Sequence, residues 1–452
     1  MKMTVGEIVA ACAGELLCGD PETVITAVST DSRKIDGGTL FVPIIGEKTD
    51  AHTFINAVFA AGAAATLTQE HDSMNDAHAW IRVADTAEAL QRIAAVYRRR
   101  FHIPLVGITG SVGKTTTKEM VALALSAGLN VMKTEGNFNS QIGLPLTLFN
   151  LAPEHRAAVI EMGISDFGEM SRLARIAAPD YAVVTNIGIS HIEQLKTQLN
   201  IMNEKLHIID YFHKGSVLFL NGDDKMLAGL RGQFNSKIIY FGTQLWCDFR
   251  AENIRSTASS TQFTLFGSEE IGEVRLPALG MHNVTNALAA LAVAYTLGVP
   301  LPKAIAQLTG YHPLAMRQQI HHVNEITVID DSYNASPDAI KSSVQVLCGF
   351  HTGKRIAVLA DMLELGDFSK NAHFAVGKHA AEAGVDFLIT VGERAQEIAR
   401  GAQSVHPDIP CFCYGDNQEA IAKLKAILTA GDAVLVKGSR AMRTDQIVKA
   451  LL

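Results

Sequence analysis

No stretch of the chain holds the ~18 consecutive apolar residues that a membrane span requires, and the N-terminus lacks a basic segment followed by an apolar run of the secretory kind. The expectation is a cytosolic protein without membrane insertion. Cysteine is scarce and scattered. Cys12, Cys18, Cys247, Cys348, Cys411 and Cys413 include no C-x-x-C pair, so neither a disulfide framework nor a thiolate zinc site is indicated. Neither sign of charge dominates: a formal net charge of −7, spread along the chain, supplies no basic face for nucleic acid or anionic lipid. The one basic run, Arg98 to Arg100, reads as closure of a helix whose C-terminal end favours cations. Aromatics are few at 6% while apolar residues reach 48%, which points to aliphatic packing in a folded α/β protein rather than to disorder.

With 452 residues the chain exceeds what one core usually serves, so two or three domains are expected. Residues 1–84 mix short strands and helices, with turn signals at Gly19-Asp20-Pro21 and Asp36-Gly37-Gly38, and read as a small α/β domain. A helix from Asp85 to about Arg100 follows, and either neighbour has a claim to it. Strands at Leu105 to Thr109, Ala158 to Ile160, Tyr181 to Ile187, Val217 to Leu220 and Lys237 to Phe241 then alternate with amphipathic helices. That pattern predicts a mostly parallel sheet covered on both faces, over residues 85–313. Its last long helix, Val284 to Leu297, is closed by Gly298. Beyond Pro313 the alternation restarts, with strands Thr327 to Ile329, Arg355 to Ala360, Asp386 to Val391 and Ala433 to Val436. Residues 314–452 therefore read as a third, Rossmann-like domain.

The sharpest local signal is Gly110-Ser111-Val112-Gly113-Lys114-Thr115-Thr116, placed after a strand and before a helix. Glycine-freed amides and a helix N-terminus make a phosphate cradle, Lys114 adds a point charge, and Thr115 a hydroxyl suited to Mg²⁺. Ile108 stands where the longer P-loop pattern requires glycine, so the loop is a short variant. Glu161 and His191 each follow a strand of the same sheet, where side chains face the ligand crevice of an open parallel fold. A carboxylate suits Mg²⁺ better than an imidazole does, and a solvated Glu161 and a structural His191 are the plain alternatives.

Taken together, the motifs resemble those of the Mur ligases, and within them the branch that adds a dipeptide. The short loop Thr109 to Thr115 matches the family's T-G-[ST]-x-G-K-[ST]. Further matches run in the family's order: Ser29 to Arg33 with Gly38, Leu40-Phe41-Val42 and His52; Thr134 to Asn139; Glu161-Met162-Gly163; Thr185-Asn186-Ile187 with His191; and Gly280 to Asn283 with Asn286. Asp330 to Pro337 and Asp361 to Gly366 are similar to stretches peculiar to the dipeptide-adding branch, and Lys437 to Arg440 also fits.

This resemblance implies a cytoplasmic, ATP-consuming ligase of peptidoglycan precursor synthesis that activates the terminal carboxylate of a UDP-muramoyl tripeptide as an acyl phosphate. The amine of D-alanyl-D-alanine then attacks. It further implies that Lys114 and the loop amides hold the phosphates, that Thr115 and Glu161 hold one Mg²⁺, and that His191 holds a second. Lys205 matches the lysine that the family carbamylates to bind metal, although Lys205-Leu206-His207 departs from the usual neighbours, and an ordinary surface lysine is the alternative. Asn283 and Asn286 match positions near the base, Asp331 one on the ribose, and Arg317 one on the phosphates. Asn283 is also well placed to cap a helix. Asp31, Ser32 and Arg33 match the uridine-diphosphate end of the substrate, although Asp-Ser is a turn signature too, and Asn137 and Asn139 match substrate contacts. Closure of the second and third domains about a hinge near His312-Pro313 is expected, in a protein that nothing marks as other than a monomer. A partner-driving ATPase would carry an aspartate-based Walker B segment, which is not found.

Overall fold

A computed structural model describes residues 1–74, 77–234, 236–350 and 353–452 of the chain, in three principal sheets. Five short strands form the first, in the order Glu15–Cys18, Ala79–Arg82, Ala65–Thr68, Thr39–Phe41 and Ala27–Ser29, with only the first pair antiparallel. Phe41 and Trp80 anchor a small core on one side of it with Ile55, Val58 and Phe59.

The central sheet has nine strands. Val131–Lys133, Ala157–Glu161, Leu105–Thr109, Tyr181–Val184, Val217–Asn221, Lys237–Gly242 and Phe249–Ser256 lie side by side and parallel. Every residue of Leu105–Thr109, Ala157–Glu161 and Val217–Asn221 is buried, as expected of parallel strands covered on both faces. Thr261–Phe266 and Glu270–Leu276 then extend the sheet as an antiparallel meander that the sequence reading did not anticipate. Its signal was an alternation of period two: Phe249 and Ala251, Phe263 and Leu265, and Val274 and Leu276 are buried.

The third sheet runs Gln319–Val323, Ile326–Asp330, Ala433–Lys437, Arg355–Ala360, Phe387–Val391 and Cys411–Tyr414, parallel except for the opening hairpin. That hairpin turns through Asn324 (φ 49°) and Glu325 (φ 61°), the two left-handed residues that a tight two-residue turn demands. Gln319–Val323 was not foreseen, because an edge strand pairing along only one side carries little apolar signal.

The disputed helix spans Thr86–Arg98, with Asp85 as its N-cap accepting from the Glu88 amide at 2.8 Å. It packs on Val5–Cys12 on one side and on Gly143–Leu148 and Glu169–Ala177 on the other, so it forms the seam of the first two sheets. Arg98 closes it as expected, yet from a buried position: its guanidinium donates to the carbonyls of Ala177, Phe101 and Ile103. The six cysteines are all free thiols, and no helix among the described residues is long and apolar enough to cross a membrane.

Candidate active site

Between the C-terminal edges of the second and third sheets lies a cavity of about 1050 Å³, whose walls include Ser111 to Thr116, Asn137, Asn139, Glu161, His191, Asn283, Asn286, Arg317, Asp331 and Glu364. The phosphate loop reaches it from the buried strand Leu105–Thr109. Gly110 (φ 145°) passes so close to the next strand's end that a Cβ there would lie 1.9 Å from Thr185 Oγ1. The run Tyr181 to Ile187, predicted as a strand, is not one throughout. In the structure pairing ends at Val184, because the next residues turn aside to brace the loop. Thr185 Oγ1 and Asn186 Nδ2 both donate to the Val112 carbonyl, at 2.6 and 2.9 Å, and Asn186 accepts from the amides of Ser111 and Val112. Gly113, left-handed at φ 85°, then opens the helix Lys114–Leu125 with no side chain capping it and no acid in its first turn. Its end is thus open to an anion. Lys114 folds back to donate to the carbonyls of Gly110 and Ser111 at 2.8 and 3.3 Å. Burial pulls its pKa down, Glu161 pulls it up, and Arg317 adds to the lowering.

Glu161 ends the neighbouring strand and is 2% exposed, which removes the solvated alternative. Its Oε1 accepts from Asn139 Nδ2 at 2.8 Å, while Oε2 is buried with no hydrogen-bond partner among the described residues. An unsatisfied carboxylate oxygen in a buried wall is costly unless a cation meets it. The residues therefore fit a hard divalent ion, with Thr115 and Glu161 as oxygen donors.

His191 is held in a left-handed conformation (φ 62°). Its Nδ1 lies 2.7 Å from Glu364 Oε2, although the two are not aligned for a hydrogen bond. Glu364 comes from the third sheet's Asp361 to Gly366 loop, and its amide neighbourhood also meets the second domain, where Glu193 N–H donates to its carbonyl at 3.4 Å. Contact with His191 holds the Glu364 carboxyl below its usual pKa, against burial.

Lys205 does not line the cavity. It sits behind the wall on the helix Gln198–Leu206 at 1% exposure, so it is no surface lysine. Burial pushes its pKa well below the ordinary value, with repulsion from Lys114 adding to that and Glu204 opposing it. Glu204 is itself committed elsewhere, accepting from the amides of Gly168 and Met170.

Asn283 and Asn286 stand on the helix Met281–Thr296, one turn earlier in onset than the sequence suggested. Gly280 is its N-cap, so the capping role weighed for Asn283 is overturned. Its Nδ2 instead donates backward to the Leu279 carbonyl at 2.8 Å, and Asn286 Oδ1 accepts from Thr117 at 3.0 Å. The opposing wall comes from the third sheet. Arg317 stacks over the Tyr333 ring at 4.1 Å, and Asp331 takes a buried ion pair from Lys437 at 2.6 Å and a hydrogen bond from Ser343. Tyr311, His282, Gln318 and Tyr333 also line the cavity. His282 and Tyr333 lie within matched motifs that assign them no individual role, and Tyr311 and Gln318 lie outside any motif, where a lone Tyr or Gln carries no chemical signature.

Asp31, Ser32 and Arg33 are not brought to this cavity. Arg33 instead forks onto Asp31 at 2.8 and 2.9 Å on the exposed surface of the first domain, lowering the Asp31 pKa to about 2.

Three family models match the chain: Mur ligase family, catalytic domain, over residues 24–98; Mur ligase middle domain, over 108–294; and Mur ligase, glutamate ligase domain, over 316–440. A Bacillus subtilis protein named UDP-N-acetylmuramoyl-tripeptide--D-alanyl-D-alanine ligase is 36% identical, covering 100% of this chain and 99% of its own. An Escherichia coli protein of the same name is 33% identical over 100% and 98%. Among solved structures, MurF from Acinetobacter baumannii superposes with a TM-score of 0.93 at 30% identity, covering 100% and 99% of the two chains. MurF ligase from Thermotoga maritima in complex with ADP does so at 0.84 and 28%, covering 94% and 96%. With the phosphate loop, the paired sheets and the full-length likeness agreeing, the chain belongs to the Mur ligase family.

Proposed function

We propose that the protein is an ATP-dependent ligase that joins D-alanyl-D-alanine to UDP-N-acetylmuramoyl-tripeptide, yielding the pentapeptide, ADP and phosphate for peptidoglycan precursor synthesis. The single observation that carries this reading is the placement of the open helix end at Lys114 beside the partnerless Glu161 Oε2, within one cavity shared by two sheets. Full-length relatives that bear this activity's name, and a similar structure that holds ADP, support it.

In this reading the loop amides and Lys114 hold the outer phosphates of ATP, and the residues do positioning and charge stabilisation rather than covalent work. The tripeptide's terminal carboxylate attacks the γ-phosphorus and ADP leaves. The neutral amine of the dipeptide then attacks the acyl carbon, loses a proton, and expels orthophosphate that carries one oxygen of the original acid. Mg²⁺, when bound, neutralises charge on the phosphates; Thr115 and Glu161 would hold one ion and His191 a second. Lys205 is buried and drawn toward its neutral form, the state in which an amine captures CO₂ and releases a proton to become a carbamate. A carbamate there supplies the anionic oxygen that a second Mg²⁺ prefers.

Asn283, Asn286, Arg317 and Asp331 serve the nucleotide, Asn137 and Asn139 the muramoyl substrate, and Asp31, Ser32 and Arg33 its uridine-diphosphate end. The last three require the substrate to stretch from the first domain into the cavity. We assign residues 1–84, 85–313 and 314–452 to the three domains, with a hinge at His312-Pro313, beside the left-handed Met316 and Gln318. Closure there excludes water from the acyl phosphate. We place the enzyme in the cytoplasm as a monomer. Purified protein given ATP, Mg²⁺ and the UDP-muramoyl tripeptide should release phosphate only once D-alanyl-D-alanine is added; preference for a single amino acid would contradict the reading.

A further inference from the structure

We propose that His373, which does not itself line the cavity, is a positioning residue for the ligation reaction: it fixes from behind the Asp361 to Gly366 loop that carries Glu364 to His191. The inference rests on the ligase reading above.

His373 lies on the helix Ser369–Ala383 and is fully buried. Its Nε2 accepts from the Met362 amide at 2.9 Å, and its Nδ1 donates to the Ser369 carbonyl at 2.7 Å. A backbone N–H only donates and a carbonyl only accepts, so these two bonds leave a single protonation state, the neutral ring with its proton on Nδ1. No other acceptor among the described residues meets the Met362 amide. Without the ring a buried donor is left unpaired, in the residue two before Glu364.

The loop's other ties run to neighbouring elements: the Asp361 amide donates to the Val391 carbonyl at 3.1 Å, the Ala395 amide to Asp361 Oδ1 at 2.7 Å, and the Glu193 amide to the Glu364 carbonyl at 3.4 Å. The Ser439 amide donates to the Asp361 carbonyl at 3.1 Å, and the Leu363 amide donates to Ser439 Oγ at 2.9 Å. Glu364 then holds a left-handed conformation (φ 63°), Leu365 is buried, and Gly366 lies against Glu193. A left-handed glutamate persists only where its surroundings over-determine it. The Met362 bond is the restraint nearest to it on the N-terminal side that comes from the loop's own helix.

Burial holds the ring's pKa below the ordinary histidine value; the Ser369 carbonyl and Asp361 oppose this, Arg394 adds to it, and Glu397 opposes it weakly. The neutral form that the geometry requires is therefore the form present near pH 7.

The test uses the full chain with His373→Leu, which offers no acceptor, and His373→Gln, which keeps an uncharged acceptor at about the reach of Nε2. His373→Leu should lower kcat by about tenfold, the scale of one buried unpaired donor, while KM for ATP stays within about twofold. His373→Gln should restore most of kcat and weaken any acid fall of kcat that protonation of His373 causes, which lies below the ordinary histidine range. Wild-type kcat in the Leu variant would overturn the inference, as would equal losses in both variants. Should the Leu variant not fold, the Gln variant decides alone: an acid limb unchanged from wild type overturns the inference, and a flattened one supports it. A wild-type protein that releases no phosphate on addition of the dipeptide would instead overturn the ligase reading.

Discussion

Asn139 Nδ2 donates to Glu161 Oε1 at 2.8 Å, fixing one carboxylate oxygen while the other, Oε2, is buried with no hydrogen-bond partner among the described residues. Glu161→Gln keeps the size of this side chain and removes its charge. Turnover should fall by about 10²- to 10³-fold, the cost of losing one preorganised electrostatic contact. Thermal stability should hold or rise, since a buried charge without a cation is a liability. Steady-state phosphate release and a melting curve check the two halves, and near-normal turnover would remove Glu161 from the metal-binding role.

Lys205 is buried within reach of the charge on Lys114, an arrangement that only a neutral or chemically converted amine makes comfortable. Lys205→Ala should cripple turnover. Excess bicarbonate should not restore it, whereas a short-chain carboxylic acid filling the vacated space should do so in part. Assays of the variant with and without such an acid decide the matter, and a wild-type rate in the variant alone would end the carbamate reading.

Two glycines of the phosphate loop differ in what a methyl group meets. At Gly110 a Cβ would lie 1.9 Å from Thr185 Oγ1 at a φ of 145°; at Gly113 it would lie 3.0 Å from Asn286 Oδ1 at 85°. The first conformation is closed to other residues and the second costs them about 1–2 kcal/mol. Gly110→Ala should therefore destabilise the protein more than Gly113→Ala in urea unfolding, with both impairing ATP binding. The reverse order of stability would contradict the bracing role of Thr185.

Sequence alone revealed the parallel sheets, because apolar strands buried on both faces, such as Leu105 to Thr109, leave unbroken hydrophobic runs. Lys114, Glu161 and His191 were legible because each ends or follows such a strand, where a polar residue stands out. The Asn186 brace on Val112 was hidden by a separation of 74 positions, and no local pattern announces a contact of that range. Exposure was equally hidden: Lys205 sits on a helix with mixed neighbours, and only packing makes it a core residue. The antiparallel meander was missed for a different reason. Its half-buried strands alternate polar and apolar residues, a weaker signal than a continuous run.

His282 and His373 are both buried with pKa values that burial lowers. Each stays neutral in the fold but takes a proton near the ordinary histidine value once unfolded, so the unfolded chain binds more protons. Stability from this source is whole above about pH 6.5 and is lost as pH falls toward the depressed folded values. Urea midpoints should thus drop between about pH 7.5 and about pH 5.5, and the drop should be smaller in His373→Gln. An equal drop in the wild type and in His373→Gln would show that the His373 ring is not held neutral.

The transfer of phosphate to an acid is tested most directly by following oxygen. UDP-muramoyl tripeptide labelled with ¹⁸O in its terminal carboxylate, turned over with ATP and D-alanyl-D-alanine, should yield orthophosphate that carries one label from each labelled acid oxygen expelled, read by mass spectrometry. Orthophosphate free of label, alongside normal formation of the pentapeptide, would contradict an acyl phosphate.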